Sequence, residues 1–266
     1  MSDTNTLISD YSDSIDEHRT WLKTFGEQRL QKWERLLRVN AEAAICEAST
    51  RMVLSEHGVV VEPYEDPSTG GPDFVCKKGG KIFFAEVTCI EREKVTSRTH
   101  LTDKPRGETY YALLTDVFLA ELCRKVTQCC NLEAACLVVI GTLHRQGGAK
   151  CFGKSAVEDL LTGTTRITMK FDPEQGRSVG DAYQTTKLID SAFIRFQKNS
   201  RGQVEFARNP ISAVLLCGFG LIPPNGVGCL HPNPNYLFDR MLLPNIEFCR
   251  LVEGCIQTDH LKVEWI

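Results

Sequence analysis

The chain of 266 residues contains no C-x-x-C pair, so its twelve cysteines supply neither the paired ligands of a zinc module nor a redox dithiol motif. Cys76, Cys89, Cys136 and Cys217 fall instead within apolar, strand-like runs, where a thiol packs as a small hydrophobe. Positive charge is not in excess: 31 Lys and Arg against 34 Asp and Glu leave a net charge of −3. That balance argues against a protein that coats nucleic acid but allows a local basic site. No apolar run is long enough to cross a bilayer; the longest, Ile211–Ile222, carries Ser212 and two glycines. A basic leader is also lacking, since Asp3, Asp10, Asp13, Asp16 and Glu17 precede the first Lys or Arg, Arg19. A soluble cytoplasmic protein with no membrane partner is therefore expected, its thiols free. Missing too are a G-x-S-x-G elbow, a helical H-E-x-x-H pair and a complete dinucleotide fingerprint, because Gly218-Phe219-Gly220 runs into prolines. The six histidines are scattered, as surface or capping residues are.

What is present has α/β character. Residues 1–18 are polar and acidic and read as a disordered tail. Apolar positions at helical spacing predict one helix over Arg19–Val39 and a second over Glu42–Glu56, with Gly58 as its terminator. Val59–Val61 reads as a strand. Asp73–Cys76 and Lys81–Cys89 flank Gly79-Gly80 and predict a β-hairpin. A polar, basic loop is expected over 91–108, then a helix over Tyr110–Cys130 with Leu114, Phe118, Leu122 and Val126 inward. Ala135–Ile140 is apolar on both faces, as a central strand is. Further on, the pattern predicts a glycine-rich loop, a helix near Ser155–Leu161, a hairpin over Ala192–Ala207, a buried strand at Ile211–Leu216, and a loop-rich remainder that closes with an edge strand at Leu261–Trp265. The expectation is a single α/β domain over 19–266, with a core of about 40–142 and a loop-rich, β-containing extension over about 143–266.

The hairpin carries the chemistry. Asp73 starts one strand and Glu86 lies near the end of its antiparallel neighbour. Two carboxylates brought together there repel unless a cation lies between them, and hard oxygen ligands suit Mg²⁺ or Mn²⁺. Thr88 shares a strand face with Glu86. Glu47, on the helix before the first strand, is within reach of the same ion through water. An unpaired Glu86 inside Ile82–Ile90 would cost several kcal/mol, so a function is expected of it.

Gly71-Pro72-Asp73-Phe74 followed by Phe84-Ala85-Glu86-Val87-Thr88 resembles the PD-(D/E)XK nuclease superfamily, the restriction-endonuclease-like fold, over about residues 40–142. Asn209–Val214 and His231–Pro234 resemble bacterial members more faintly. The resemblance implies a core of helix, three-stranded antiparallel meander, helix and strand. It implies metal ligation by Asp73 and Glu86, by the Val87 carbonyl and by Glu47. It implies nucleic acid as the partner, DNA ahead of RNA, and a homodimer as one assembly. Thr88 stands where the family has lysine, and a hydroxyl cannot offset charge developing on phosphorus. Some members take that lysine from the following helix, where Lys125 and Gln128 are i,i+3 neighbours. Lys81 faces away from Glu86 by strand parity, and Lys94 is held in reserve. The loop after Glu86 holds Arg92, Lys94, Arg98, Lys104 and Arg106, which in this architecture would meet a phosphate backbone. Arg195, Lys198, Arg201 and Arg208 form a smaller cluster.

A second motif, Gly148–Ser155, satisfies G-x-x-x-x-G-K-[ST]. Its surroundings do not suit a phosphate loop: four residues separate it from the preceding strand, Gly163 cuts its helix short, and no strand ends in a Walker-B acid. Three functions follow: a metal-dependent nuclease that hydrolyses phosphodiester bonds, a catalytically weak or inactive nuclease-fold module that binds nucleic acid or a protein partner, and a P-loop NTP-binding protein using Lys154 and Ser155.

Overall fold

The structure, a computed structural model, describes residues 2–64, 71–101, 103, 112–151, 154–162, 164–172, 177–187, 191–196, 204–220, 225–252 and 262–266. Four helices come first: α1 Ser2–Asp10, α2 Ser12–Lys23, α3 Glu27–Val39 and α4 Ala41–Glu56. Strands β1 Val60–Pro63, β2 Phe74–Lys78 and β3 Lys81–Cys89 follow, then α5 Arg92–Thr99, α6 Ala112–Cys129 and β4 Ala135–Thr142. The remainder comprises α7 Arg145–Cys151, α8 Lys154–Thr162, β5 Thr164–Asp172, β6 Arg177–Lys187, β7 Ile194–Phe196, β8 Val204–Phe206, β9 Ala213–Gly218, β10 Asn225–Leu230, β11 Glu247–Leu251 and β12 Val263–Trp265.

Eight strands make one mixed sheet in the order β1-β2-β3-β4-β9-β10-β11-β12. β1, β2 and β3 form an antiparallel meander, and β4 and β9 join it in parallel. The meander closes at Gly79 and Gly80, whose φ values of +56° and +75° suit a type I′ turn. β4 is buried along its whole length, because each face of the sheet is covered. On one face α2, α3 and α4 pack through Leu22, Trp33, Leu37 and Ile45 onto Phe83, Ala85, Val87 and Val139. On the other, α6 and α8 pack through Leu114, Phe118, Leu122 and Leu160 onto Phe84, Val138 and Ile140.

Four expectations are corrected. The acidic tail is helical: Leu7, Ile15 and Leu22 are buried, and Tyr11 donates its hydroxyl to the Phe219 carbonyl at 2.8 Å. A near-helical recurrence of apolar residues is present there but is diluted by acids that lie on the wet side. The single helix expected over Arg19–Val39 is divided between α2 and α3 at Gly26, with φ +109°. Arg92–Thr99 is helix, not loop, buried only through Val95 and Thr99, too little to register as a period. The extension is rich in strands. The hairpin β5–β6 is additional to the expected elements, and β10 and β11 are strands where a loop-rich remainder is expected; β10 carries glycines because packing demands them. A Cβ at Gly228 would come within 2.2 Å of the Phe248 ring.

The cleft at the open edge of β3

Ladder pairing of β2 with β3 runs from Lys78↔Lys81 to Phe74↔Ala85. One step further sets Asp73 opposite Glu86, on the face that α6 covers. There β2 ends while β3 continues to Cys89, which leaves the Val87 N–H without a strand partner on that side. Asp73 Oδ2 accepts from it at 2.7 Å, so a side chain takes over the bond that the departing strand would have made. A cleft of about 610 Å³ opens at this point.

The cleft brings together Asp73, Glu86, Val87, Thr88, Glu47, Lys125 and Gln128, all singled out from the sequence. Lys125, reaching from α6, donates to Glu86 Oε1 at 2.6 Å. Glu86 is only 1% exposed, and a carboxylate there requires such a partner. Burial opposes the charge on Lys125, but Glu86 and Asp73 outweigh it and raise its pKa above the ordinary lysine range. The ammonium is therefore present throughout the neutral range, as a fixed positive charge rather than a base.

The Thr88 hydroxyl turns to Glu121 Oε2 at 3.5 Å. Glu121, also buried, is ion-paired with Lys94 and with Arg124. The side chain of Lys94, held in reserve for Glu86, is thus taken by another acid. Arg92 is committed as well: its backbone N–H and guanidinium both donate to Glu42, at 2.8 and 3.1 Å. Arg98 is exposed on α5 and does not line the cleft, while Lys104 and Arg106 lie outside the described residues. Lys81 pairs with Asp239, away from the cleft. In the smaller cluster, Arg208 Nη1 donates to the Ser191 and Ala192 carbonyls, Arg195 is exposed, and Lys198 and Arg201 lie outside the described residues.

Besides Lys125, the Lys and Arg residues that line the cleft come from α3: Arg29, Lys32 and Arg35. The sequence pattern had marked this helix by its apolar stripe alone. The i, i+3, i+6 spacing of these three cations is the signal that would have found them. Arg29 fixes the helix beside the acids, donating to the Pro63 carbonyl at 2.8 Å at the end of β1.

The Walker-like run forms no open loop where it is described. Gly148–Cys151 continue α7, and Gly148 presses its backbone against β9, 2.7 Å from where a Cβ on Gly218 would stand. Lys154 pairs with Glu247 at 3.2 Å and stands 4.6 Å over the Trp265 ring.

Among the described residues no group of three or more His, Cys, Asp or Glu side chains gathers as a metal centre. None of the described helices is long and apolar enough to cross a membrane. No family model, curated protein or solved structure matches the chain.

Proposed function

We propose that this protein hydrolyses phosphodiester bonds of nucleic acid in the cleft at the end of β3, with Mg²⁺ or Mn²⁺ as cofactor. On this reading α4, the β1–β2–β3 meander, α6 and β4 are a restriction-endonuclease-like core, and the lysine comes from α6 instead of the strand. The observation that carries the proposal is the convergence of Asp73, Glu86 and Lys125, with the Lys125–Glu86 bond of 2.6 Å at its centre.

The donor chemistry suits a hard divalent cation. Asp73 and Glu86 offer carboxylate oxygens on adjacent strands, the Val87 carbonyl is beside them, and Glu47 lines the same cleft. Mg²⁺ keeps several waters and needs only one or two carboxylates, so a larger acidic cluster is not required. Such an ion, when bound, polarises a phosphate oxygen and lowers the pKa of a bound water. The chain's own residues do the rest. Asp73 is oriented by the Val87 N–H. Lys125 supplies a permanent positive charge where negative charge grows on the phosphate. Gln128, one turn beyond it and lining the same cleft, orients the attacking water on this reading.

The test is cleavage of labelled oligonucleotides by the purified chain with Mg²⁺ or Mn²⁺, and with EDTA. Cleavage that needs the metal and drops at least ~100-fold in Glu86→Ala and in Lys125→Met is expected. Cleavage indifferent to both substitutions, or none by the wild type, refutes the proposal. One observation favours a non-cutting module: the Lys125 ammonium already compensates Glu86, with Thr88 in the usual lysine position. Salt-sensitive binding without metal-dependent cleavage is the outcome that would mark it.

A further inference from the structure

The wall of the cleft facing α3 has a second character. Arg29, Lys32 and Arg35 stand along it, and Lys32 and Arg35 are exposed to solvent. Behind them the lining is apolar, with Leu22, Leu36 and Phe74. Two rings, His18 and Trp33, complete it, their centroids 4.7 Å apart. They are 1% and 4% exposed, and both keep a buried ring nitrogen, His18 Nδ1 and Trp33 Nε1, with no hydrogen-bond partner. Buried nitrogens of this kind are normally satisfied, so these two offer hydrogen-bonding capacity to a ligand that reaches this wall.

We propose that this wall binds single-stranded nucleic acid, with a base inserted between the apolar lining and the His18–Trp33 pair and the backbone phosphates held by Arg29, Lys32 and Arg35. The identification of the ligand rests on the phosphodiesterase reading above. A base has flat apolar faces and an edge that carries both hydrogen-bond acceptors and donors. That combination matches an apolar wall ending in an indole N–H and an imidazole nitrogen. In a duplex the faces are stacked and the edges paired, so the wall holds it by its phosphates alone. The volume of about 610 Å³ lies in the range that encloses one small ligand. Charge agrees: the chain is net negative, yet this rim is positive. Burial also keeps His18 uncharged at neutral pH, its pKa lowered to about 3, so its ring meets the base edge as a neutral partner.

The experiment is fluorescence anisotropy with the full chain and a labelled strand of about 15 nucleotides, single or annealed, in EDTA so that cutting plays no part. The single strand is expected to bind at least ~10-fold tighter than the duplex. The double variant Lys32→Glu/Arg35→Glu reverses two exposed charges, and circular dichroism checks that it keeps the fold. It is expected to weaken binding more than ~10-fold and to flatten the dependence on salt. Trp33→Phe, which keeps an aromatic ring but removes the N–H and part of the ring volume, is expected to weaken the single strand ~5-fold or more and leave the duplex unchanged. Duplex binding equal to or tighter than single-strand binding, or an affinity indifferent to the charge reversals or to Trp33→Phe, overturns the proposal. The two readings fail separately. A chain that binds single strands in this way and never cuts refutes the phosphodiesterase alone. One that cuts with Mg²⁺ but ignores these substitutions refutes the strand-binding wall alone.

Discussion

The Lys125 ammonium meets Glu86 Oε1 at 2.6 Å across 39 residues of chain, joining the C-terminal part of α6 to β3. Each group is stabilised there by the other. Glu86 has almost no contact with solvent and Lys125 little more, the side chains being 1% and 19% exposed. The pair is thus a structural tie as well as the positive centre of the cleft, and both roles can be measured.

Lys125→Met strands a buried carboxylate and is expected to cost about 3 kcal/mol in urea unfolding. Adding Glu86→Gln should recover part of that loss, because the uncompensated charge disappears. Costs that simply add in the double variant would mean that the two side chains do not interact.

Acid should destabilise the protein well above the carboxylate range. His18 and His231 are buried, and desolvation lowers their pKa values to about 3 and about 4 from 6.5. Below pH 6.5 the unfolded chain takes up protons that the folded chain refuses, so stability falls as pH drops toward those lowered values. Each histidine contributes a loss of about 2 kcal/mol between pH 6.5 and 5. His18→Phe should flatten the curve of stability against pH over that window. An unchanged slope would show that His18 is protonated in the fold.

Two glycines are expected to be irreplaceable for steric reasons. At Gly220 a Cβ would lie 2.3 Å from the Leu143 carbonyl oxygen, and at Gly228 it would lie 2.2 Å from the Phe248 ring. Gly220→Ala meets backbone that cannot rotate away and should cost about 3 kcal/mol; Gly228→Ala pushes a buried ring and should cost about 2 kcal/mol. Thermal melts of the two variants check both values.

Arg92→Ala and Lys94→Ala should leave nucleic-acid affinity within about two-fold of wild type, since both cations are already bound to Glu42 and Glu121. Arg92→Ala should still lower stability by about 1 kcal/mol through loss of the tie to α4. A large affinity loss in either variant would return the phosphate contacts to α5.

The candidate site was legible where local rules govern it. Gly79-Gly80 selects a tight hairpin, and strand parity then sends Asp73 and Glu86 to one face. Helical spacing sets Lys125 and Gln128 on one side of α6, and both line the cleft. The fate of the basic segment was not legible. Whether Arg92 or Lys94 meets a phosphate depends on Glu42 and Glu121, which lie 50 and 27 positions away in the chain. Nor was β10, because Asn-Gly-Val-Gly reads as turn unless Phe248 is known to press on it.

The amino-acid order alone determined the meander, the central strand and the pairing of two acids across a hairpin, because these follow from periods of two and 3.6 and from a turn that only glycine accommodates readily. Tertiary structure decided which cations are spent and which remain at the cleft. It ties Arg92 and Lys94 to acids outside the cleft lining and sets Arg29, Lys32 and Arg35 along it. The reason is physical: a charge pairs with whatever opposite charge the folded chain carries to within a few ångströms, and that distance is not a property of sequence separation.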